Sequence, residues 1–324
     1  MSSGRQLRSS ARRSKAPRRV YPGNMGRPYF ARSLADLSAD LASAAQAVLP
    51  PGGEVRGIFD VPPPEFPSWA KYRYGPRHAL IFTGTGVIHA QTAAFGQPAQ
   101  IHLVPTAAVH YVQVGQLLLY GRLEIGYAAN GQAQHVALEF NTVGWDLLQP
   151  ALRELLRDVS VVSPPPLVEA QTPVISAAEI ERLPFKFASG LQIYTLAPGE
   201  RLLALAFQPG LWSRRLLISR RQVTPAIVLA LTDRHVSLIE EERALTSKPS
   251  YGWTFTFIPR HGVTGIRCAP APLGRLISIE MLVEGATATH ELELTAEVAA
   301  TWEAQWRGRG AQWVEDISNA GAMG

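Results

Sequence analysis

The stretch LALTDRHVSL, residues 229–238, places apolar residues at alternating positions on both sides of a polar Asp233-Arg234-His235 centre. Leu229 and Leu231 come before that centre and Val236 and Leu238 after it, the pattern of two short strands joined by a tight turn. The same shape stands at residues 80–89, LIFTGTGVIH, where Leu80 and Phe82 precede Gly84-Thr85-Gly86 and Val87 follows. A shape that occurs twice is read first as part of an internal repeat.

The echo extends outward in a fixed order. PGGEVRGIF (51–59) corresponds to PGERLLALAF (198–207), IHLVP (101–105) to FTFIP (255–259), LYGRLEI (119–125) to LGRLISI (273–279), and ALEF (137–140) to ELEL (291–294). Each copy then closes on a helical pattern: TVGWDLLQPALRELL (142–156), interrupted or initiated near Pro150, and TAEVAATWEAQWRG (295–308), with Trp302 and Trp306 one turn apart. Short alternating segments without strand-helix-strand alternation predict antiparallel sandwiches or barrels. One match is offset: Leu123, Ile125 and Tyr127 point inward in the first copy, against Ile277, Ile279 and Met281 in the second. A one-residue shift of this kind predicts a β-bulge.

The chain divides accordingly. Residues 1–30 form a basic arm whose Ser, Gly and Pro content predicts disorder. An amphipathic helix is expected over 31–49, with Leu34, Leu37, Leu41, Ala44, Ala45 and Val48 on one face and Pro50-Pro51 at its end. The first β-domain is expected over 50–158 and the second over 198–310. A Pro-rich linker, 159–197, separates them and contains a short helix opened by the SAAE capping box at 176–179. A tail, 311–324, completes the chain.

This order of parts resembles the bacterial branch of the pleckstrin-homology-like (PH-like, GRAM-like) superfamily. The residues that carry the likeness are Gly53-Glu54 and Gly199-Glu200, Thr83 and Thr232 of the hairpins, Pro105 and Pro259 at strand ends, and the helices of Trp145 and Trp302. It covers about 220 of the 324 residues. First-copy TGTG and Pro150 depart from the pattern. The resemblance implies a mainly β fold with minor α content: two tandem PH-like antiparallel β-sandwich or barrel domains, each capped by a C-terminal helix. It also implies binding without catalysis, to lipids, peptides or further copies of the protein.

Charge narrows the choice of ligand. Of the 31 Lys and Arg residues, Arg5, Arg8, Arg12, Arg13, Lys15, Arg18, Arg19 and Arg27 fall within the first 27 positions, where no acid occurs. The net charge of +5 therefore belongs to the arm, and the body is mildly acidic. Such an arm suits an anionic membrane surface, or nucleic acid through phosphate neutralisation, though few aromatics are interleaved for base stacking. An inert tail or a misassigned start is the bland reading. Arg12-Arg13 and Arg18-Arg19 are followed by Pro22, Gly23, Asn24 and Gly26 where an export signal needs an apolar run.

Phosphoinositide-binding PH domains hold phosphate with basic residues around the first hairpin. The equivalent positions here are Lys71, Arg73 and Arg77 before LIFT, and Arg214, Arg215, Arg220 and Arg221 before LALT. Arginine forks match phosphate geometry. With four lysines against 27 arginines, however, arginine is the prevailing cation throughout, and such charges also occur simply as solvated loops.

No catalytic or metal site is legible. The chain has no GxSxG elbow, His290-Glu291 lacks the second histidine of HExxH, and Gly84-Thr85-Gly86 has no phosphate-binding helix after it. His89, His102, His110, His135 and His290 lie in or beside predicted strands, as structural histidines do. A single cysteine, Cys268, excludes an intramolecular disulfide and a cysteine-based zinc site, and fits a cytoplasmic protein. The expectation is a non-enzymatic binding or scaffold protein without cofactor, peripheral at the inner face of a membrane. A protein partner or self-association comes second and nucleic acid third.

Overall fold

The computed structural model describes residues 25–50, 53–66, 73–94, 98–162, 174–215, 219–242, 252–307 and 312–315. Residues 1–24 of the arm therefore lie outside the described residues, as do linker residues 163–173. Both quoted stretches are antiparallel hairpins: β5 (His78–Thr83) pairs with β6 (Gly86–Gln91), and β14 (Ile227–Thr232) with β15 (His235–Glu241). The threonine common to both has a physical role. Thr83 Oγ1 donates to the Gly86 carbonyl and accepts from the Thr85 amide, at 3.0 and 3.3 Å. Thr232 Oγ1 makes the same two bonds, with the His235 carbonyl and the Arg234 amide, at 3.2 and 3.1 Å. A short hydroxyl side chain thus satisfies the backbone groups that the turn withdraws from the ladder.

The fold is mainly β and antiparallel, with few helices. In the first half β2 (Val55–Val61), β5, β6 and β7 (Gln100–Pro105) pair in sequence, and β1 (Tyr29–Ala31) adds to β2. Then β8 (Val109–Leu117), β9 (Tyr120–Ala129) and β10 (Gln132–Asn141) form a meander that leads into helix α2 (Trp145–Val162). The second half runs in the same order. β11 (Leu202–Gln208), β14, β15 and β16 (Gly252–Pro259) come first, followed by β17 (Val263–Ala271), β18 (Gly274–Val283), β19 (Ala286–Leu294) and helix α5 (Ala296–Trp306). Register shifts fall at corresponding places, between Val55 and Gly57 and between Leu202 and Ala204, then between Val109 and Tyr111 and between Val263 and Gly265.

These registers correct the sequence reading of the GRL strands. Leu117 faces Tyr120 across the turn between β8 and β9, and Ala271 faces Gly274 across the turn between β17 and β18. Tyr120 therefore corresponds to Gly274 and Leu123 to Ile277. No bulge separates the inward sets; the GRL tripeptides simply sit one position apart. The bulges lie at the starts of β8 and β17 instead, in both halves alike.

The halves share one sheet. β16 pairs with β8 from Gly252↔Leu117 to Phe257↔Val112, giving seven strands in the order β10-β9-β8-β16-β15-β14-β11. Gln113 Nε2 donates across this joint to Thr256 Oγ1 at 2.9 Å. The apolar interior follows: one cluster runs from Phe59, Leu80 and Leu123 through the inner face of α2 to Phe255 and Phe257. A second fills the other half around Leu229, Ile277, Trp302 and Trp306. Both tryptophans of α5 are buried, whereas Trp145 is half-buried and meets Tyr194 edge-on at the start of α2. Pro150 lies on the exposed side of α2, which runs through it to Val162.

The connecting segments differ from expectation in extent. Helix α1 (Ala39–Val48) begins only after the Ser38 cap, because Tyr29–Ala31 is drawn into the edge of β2 and Ser33 with Asp36 closes a separate turn. Its Leu41 and Ala45 cover the outer face of the β5–β6 hairpin. Helix α3 (Ala177–Glu181) has the expected capping box, Ser176 with Glu179. Pro184 then opens a second helix, α4 (Phe185–Gly190), which continues as a π-turn over Leu191–Thr195. Phe187 and Leu191 are fully buried there. The last strand, β20 (Gln312–Glu315), lies within the expected tail and pairs parallel with β17.

Candidate anion-binding ribbons

The chain leaves the main sheets at the same point in each half, between the first and second strands. In the second half it forms a two-stranded ribbon, β12 (Leu211–Arg215) with β13 (Ser219–Thr224). Arg214 stands opposite Arg220, Ser213 opposite Arg221, and Arg215 opposite Ser219. Arg214 and Arg220 are thus directly opposed in the ladder, with Arg215 and Arg221 each one position further along its own strand. Trp212, opposite Gln222, is 43% exposed. Between the strands the sequence reads Leu216-Leu217-Ile218, and no acid occurs from Leu211 to Thr224.

The base of this ribbon is fixed from below. Gln208 is fully buried; its Oε1 accepts from the Thr295 amide at 2.7 Å and its Nε2 donates to the Glu293 carbonyl at 3.4 Å. The strand that feeds the ribbon is thereby tied to the start of α5.

The first-half excursion is smaller. β3 (Glu65–Phe66) pairs with β4 (Arg73–Tyr74), with Phe66 opposite Arg73, and Tyr74 is 58% exposed. Lys71 lies outside the described residues. Arg77 is not available to a ligand in the way the sequence suggests, because it is engaged by the buried Asp60 carboxylate at 2.9 and 2.7 Å. Tyr29 OH donates to the same carboxylate at 2.5 Å. Sequence reading missed Asp60, whose only signal was an acid inside an apolar strand. Of the basic arm, Arg5, Arg8, Arg12, Arg13, Lys15, Arg18 and Arg19 fall outside the described residues, and Arg27 is exposed. The structure thus places Arg214, Arg215, Arg220 and Arg221 together, and Arg77 apart from them.

Two other polar clusters have the residue types of active sites. Glu200 Oε1 lies 3.0 Å from His235 Nδ1, and His235 Nε2 lies 3.4 Å from Ser160 Oγ. All three side chains are buried, and the single Thr232 hydroxyl proton is shared between Glu200 and the His235 carbonyl. The Ser160 hydroxyl donates to the Leu156 carbonyl of its own helix at 3.0 Å. A serine turned back into its helix presents no nucleophile to a substrate. Burial disfavours the Glu200 carboxylate, but bonds from His235, Thr232 and the Ala197 amide outweigh it and hold the pKa below the usual carboxylate value. The cluster fastens α2 of the first half to β15 of the second.

The other cluster is a row of imidazoles on β5, β6 and β7. His78 stacks on His89 at 5.3 Å and His89 on His102 at 6.1 Å, with His78 Nδ1 3.0 Å from His89 Nε2. Stacked rings do not converge on a common point, and no group of three potential ligands able to hold a metal ion occurs among the described residues. Burial pushes His78 down to about 4; burial and the neighbouring rings push His89 down to about 3. A shallow open depression beside α1, lined by Leu34, Ala42, Gln46 and neighbouring small residues, contains no titratable side chain. Among the described residues no helix is long and apolar enough to cross a membrane.

No protein-family model matches the chain, and no curated protein matches it.

Proposed function

We propose that this protein is a non-enzymatic binding module of two PH-like units, held peripherally on an anionic membrane surface by the β12–β13 ribbon. The PH-like reading is supported by the order of four strands, three strands and a helix, met twice in the chain. The membrane reading rests on one observation: Arg214-Arg215 and Arg220-Arg221, on the two paired strands of one ribbon, bracket the apolar sequence Leu216-Leu217-Ile218. Apolar residues enter the acyl boundary while cations hold anionic headgroups, each worth about 1 kcal/mol near the surface. Exposed Trp212 supplies the amphipathic ring that favours the interface. Nucleic acid would engage the arginines equally but has no use for the apolar residues between them in sequence.

The test is sedimentation with vesicles of phosphatidylserine and phosphatidylcholine. The parent is expected to bind and to be released by salt. Reversal of Arg214, Arg215, Arg220 and Arg221 to Glu abolishes binding, and Leu217→Asp weakens it at least tenfold. Deleting residues 1–27 lowers affinity without abolishing it. Unchanged binding by the charge-reversed protein removes the proposal; duplex DNA competing as well as anionic lipid in both the parent and Leu217→Asp would favour nucleic acid instead.

A further inference from the structure

We propose that strand β7 of one copy pairs with strand β17 of another, joining copies head to tail, only when β20 leaves β17, so that β20 is an edge cap that keeps the full-length protein monomeric. The argument comes from the joint between the halves. β8 and β17 are corresponding strands: each follows a short 3-10 turn, each is bulged near its start, and each begins a three-stranded meander. β7 and β16 correspond as well, since Gly86 faces Pro105 as His235 faces Pro259.

Within the chain, β8 receives β16 along its outer edge, with Phe257 opposite Val112 and Phe255 opposite Val114. The residues of β17 that correspond to Val112 and Val114 are Ile266 and Cys268, by their places after the bulge. That edge is occupied: Ile266 faces Trp313 and Cys268 faces Glu315, so β20 takes the position on β17 that β16 takes on β8. At the other end of the molecule, β7 terminates its sheet without a partner on its outer edge among the described residues. It has no charged residue and no bulge in its pairing with β6. Leu103, which corresponds to Phe257, is 37% exposed where Phe257 is 5%.

An uncharged, regular edge is a template for another strand. The occupant that fits it is a second copy, because the chain already contains this pairing once. The expected register places Leu103 of one copy opposite Ile266 of the next, and Ile101 opposite Cys268. Because the two surfaces differ, the contact is heterologous and propagates unless the rotation closes a ring. β20 competes with four residues in a parallel pairing, which is less stable per residue than the antiparallel one it excludes.

The experiment measures mass by light scattering on a sizing column. The full-length protein is expected to be monomeric. A chain ending at Arg307 forms a concentration-dependent ladder of multimers. The same shortened chain with Leu103→Lys, which would bury a charge at the joint, is monomeric alone. Mixed one to one with full-length protein it doubles in mass, because its open β17 accepts the intact chain's β7. If the shortened chain loses its native circular dichroism, Val314→Pro in the full-length protein releases β20 in its place and the same results are expected. A folded, uncapped protein that stays monomeric overturns the proposal, and so does a Leu103→Lys form that still self-associates.

Discussion

Arg77 reaches the fully buried carboxylate of Asp60 with two parallel hydrogen bonds, Nε to Oδ1 and Nη2 to Oδ2, while its own side chain remains 28% exposed. The pair is a fork-to-carboxylate contact at the foot of the first-half excursion. Removing the cation leaves an uncompensated charge in the interior, which costs about 3 kcal/mol or more. Arg77→Ala is therefore expected to lower the urea midpoint strongly, and Asp60→Asn in the same chain to recover much of the loss. Vesicle binding measured below the melting temperature should be unaffected. An Arg77→Ala protein of parental stability that no longer binds vesicles would put Arg77 back among the ligand contacts.

Ser160 and Glu200 separate a structural cluster from a catalytic one. Ser160→Ala deletes a hydroxyl that bonds its own helix, at a cost of under about 1 kcal/mol. Glu200→Ala leaves the His235 ring and the Ala197 amide without their acceptor, while the Thr232 hydroxyl keeps the His235 carbonyl, and should cost about 2–4 kcal/mol. Thermal melting of both variants checks this. A hydrolase would show the opposite sensitivity, losing ester turnover on Ser160→Ala with stability unchanged.

The imidazole row gives a pH dependence whose sign is fixed. An unfolded histidine titrates near 6.5. His78 and His89 titrate at about 4 and about 3 in the fold, so the unfolded chain binds more protons between those values and 6.5. Stability from this source is complete above pH 6.5 and is lost as pH falls toward 4 and 3. His89→Leu is expected to reduce the difference in unfolding free energy between pH 7 and pH 4.5 by roughly 2 kcal/mol, read from urea titrations at the two pH values. An unaltered difference would mean that the ring is solvated.

Periodicity exposed the hairpins, their threonines and the closing helices, because those features are local and recur in the chain. What it could not give depends on partners distant in sequence. Tyr29 and Phe30 read as the end of a disordered arm, and Ala31 as the start of a helix, until the edge of β2 is present to capture all three. Phe187 and Leu191 look like parts of a linker, yet both are buried in the core. β20 has too few residues for a pattern of its own and is defined only by β17. The candidate ribbon was legible as charge, since four arginines stand out without any fold. Arg77 was misleading for the same reason: its anion, Asp60, lies on another strand.

The hairpins β9–β10 and β18–β19 turn through corresponding dipeptides, Asn130-Gly131 and Glu284-Gly285. Both positions of each turn have positive φ: 52° and 70° in the first, 46° and 78° in the second. Two-residue turns of this hand match the twist of the flanking strands, and asparagine with glycine adopts them at least cost. Glutamate does not; its Cβ meets the following carbonyl in the left-handed region, a penalty of about 1 kcal/mol. Glu284 is exposed, so its replacement disturbs no packing. Glu284→Asn, which copies the first-half turn into the second, is expected to raise stability by about 0.5–1 kcal/mol. Asn130→Glu should lower it by a similar amount. Two-variant thermal melts decide the matter: equal and opposite shifts follow if the two turns are equivalent in conformation, whereas a destabilising Glu284→Asn would show that the glutamate side chain holds a contact of its own.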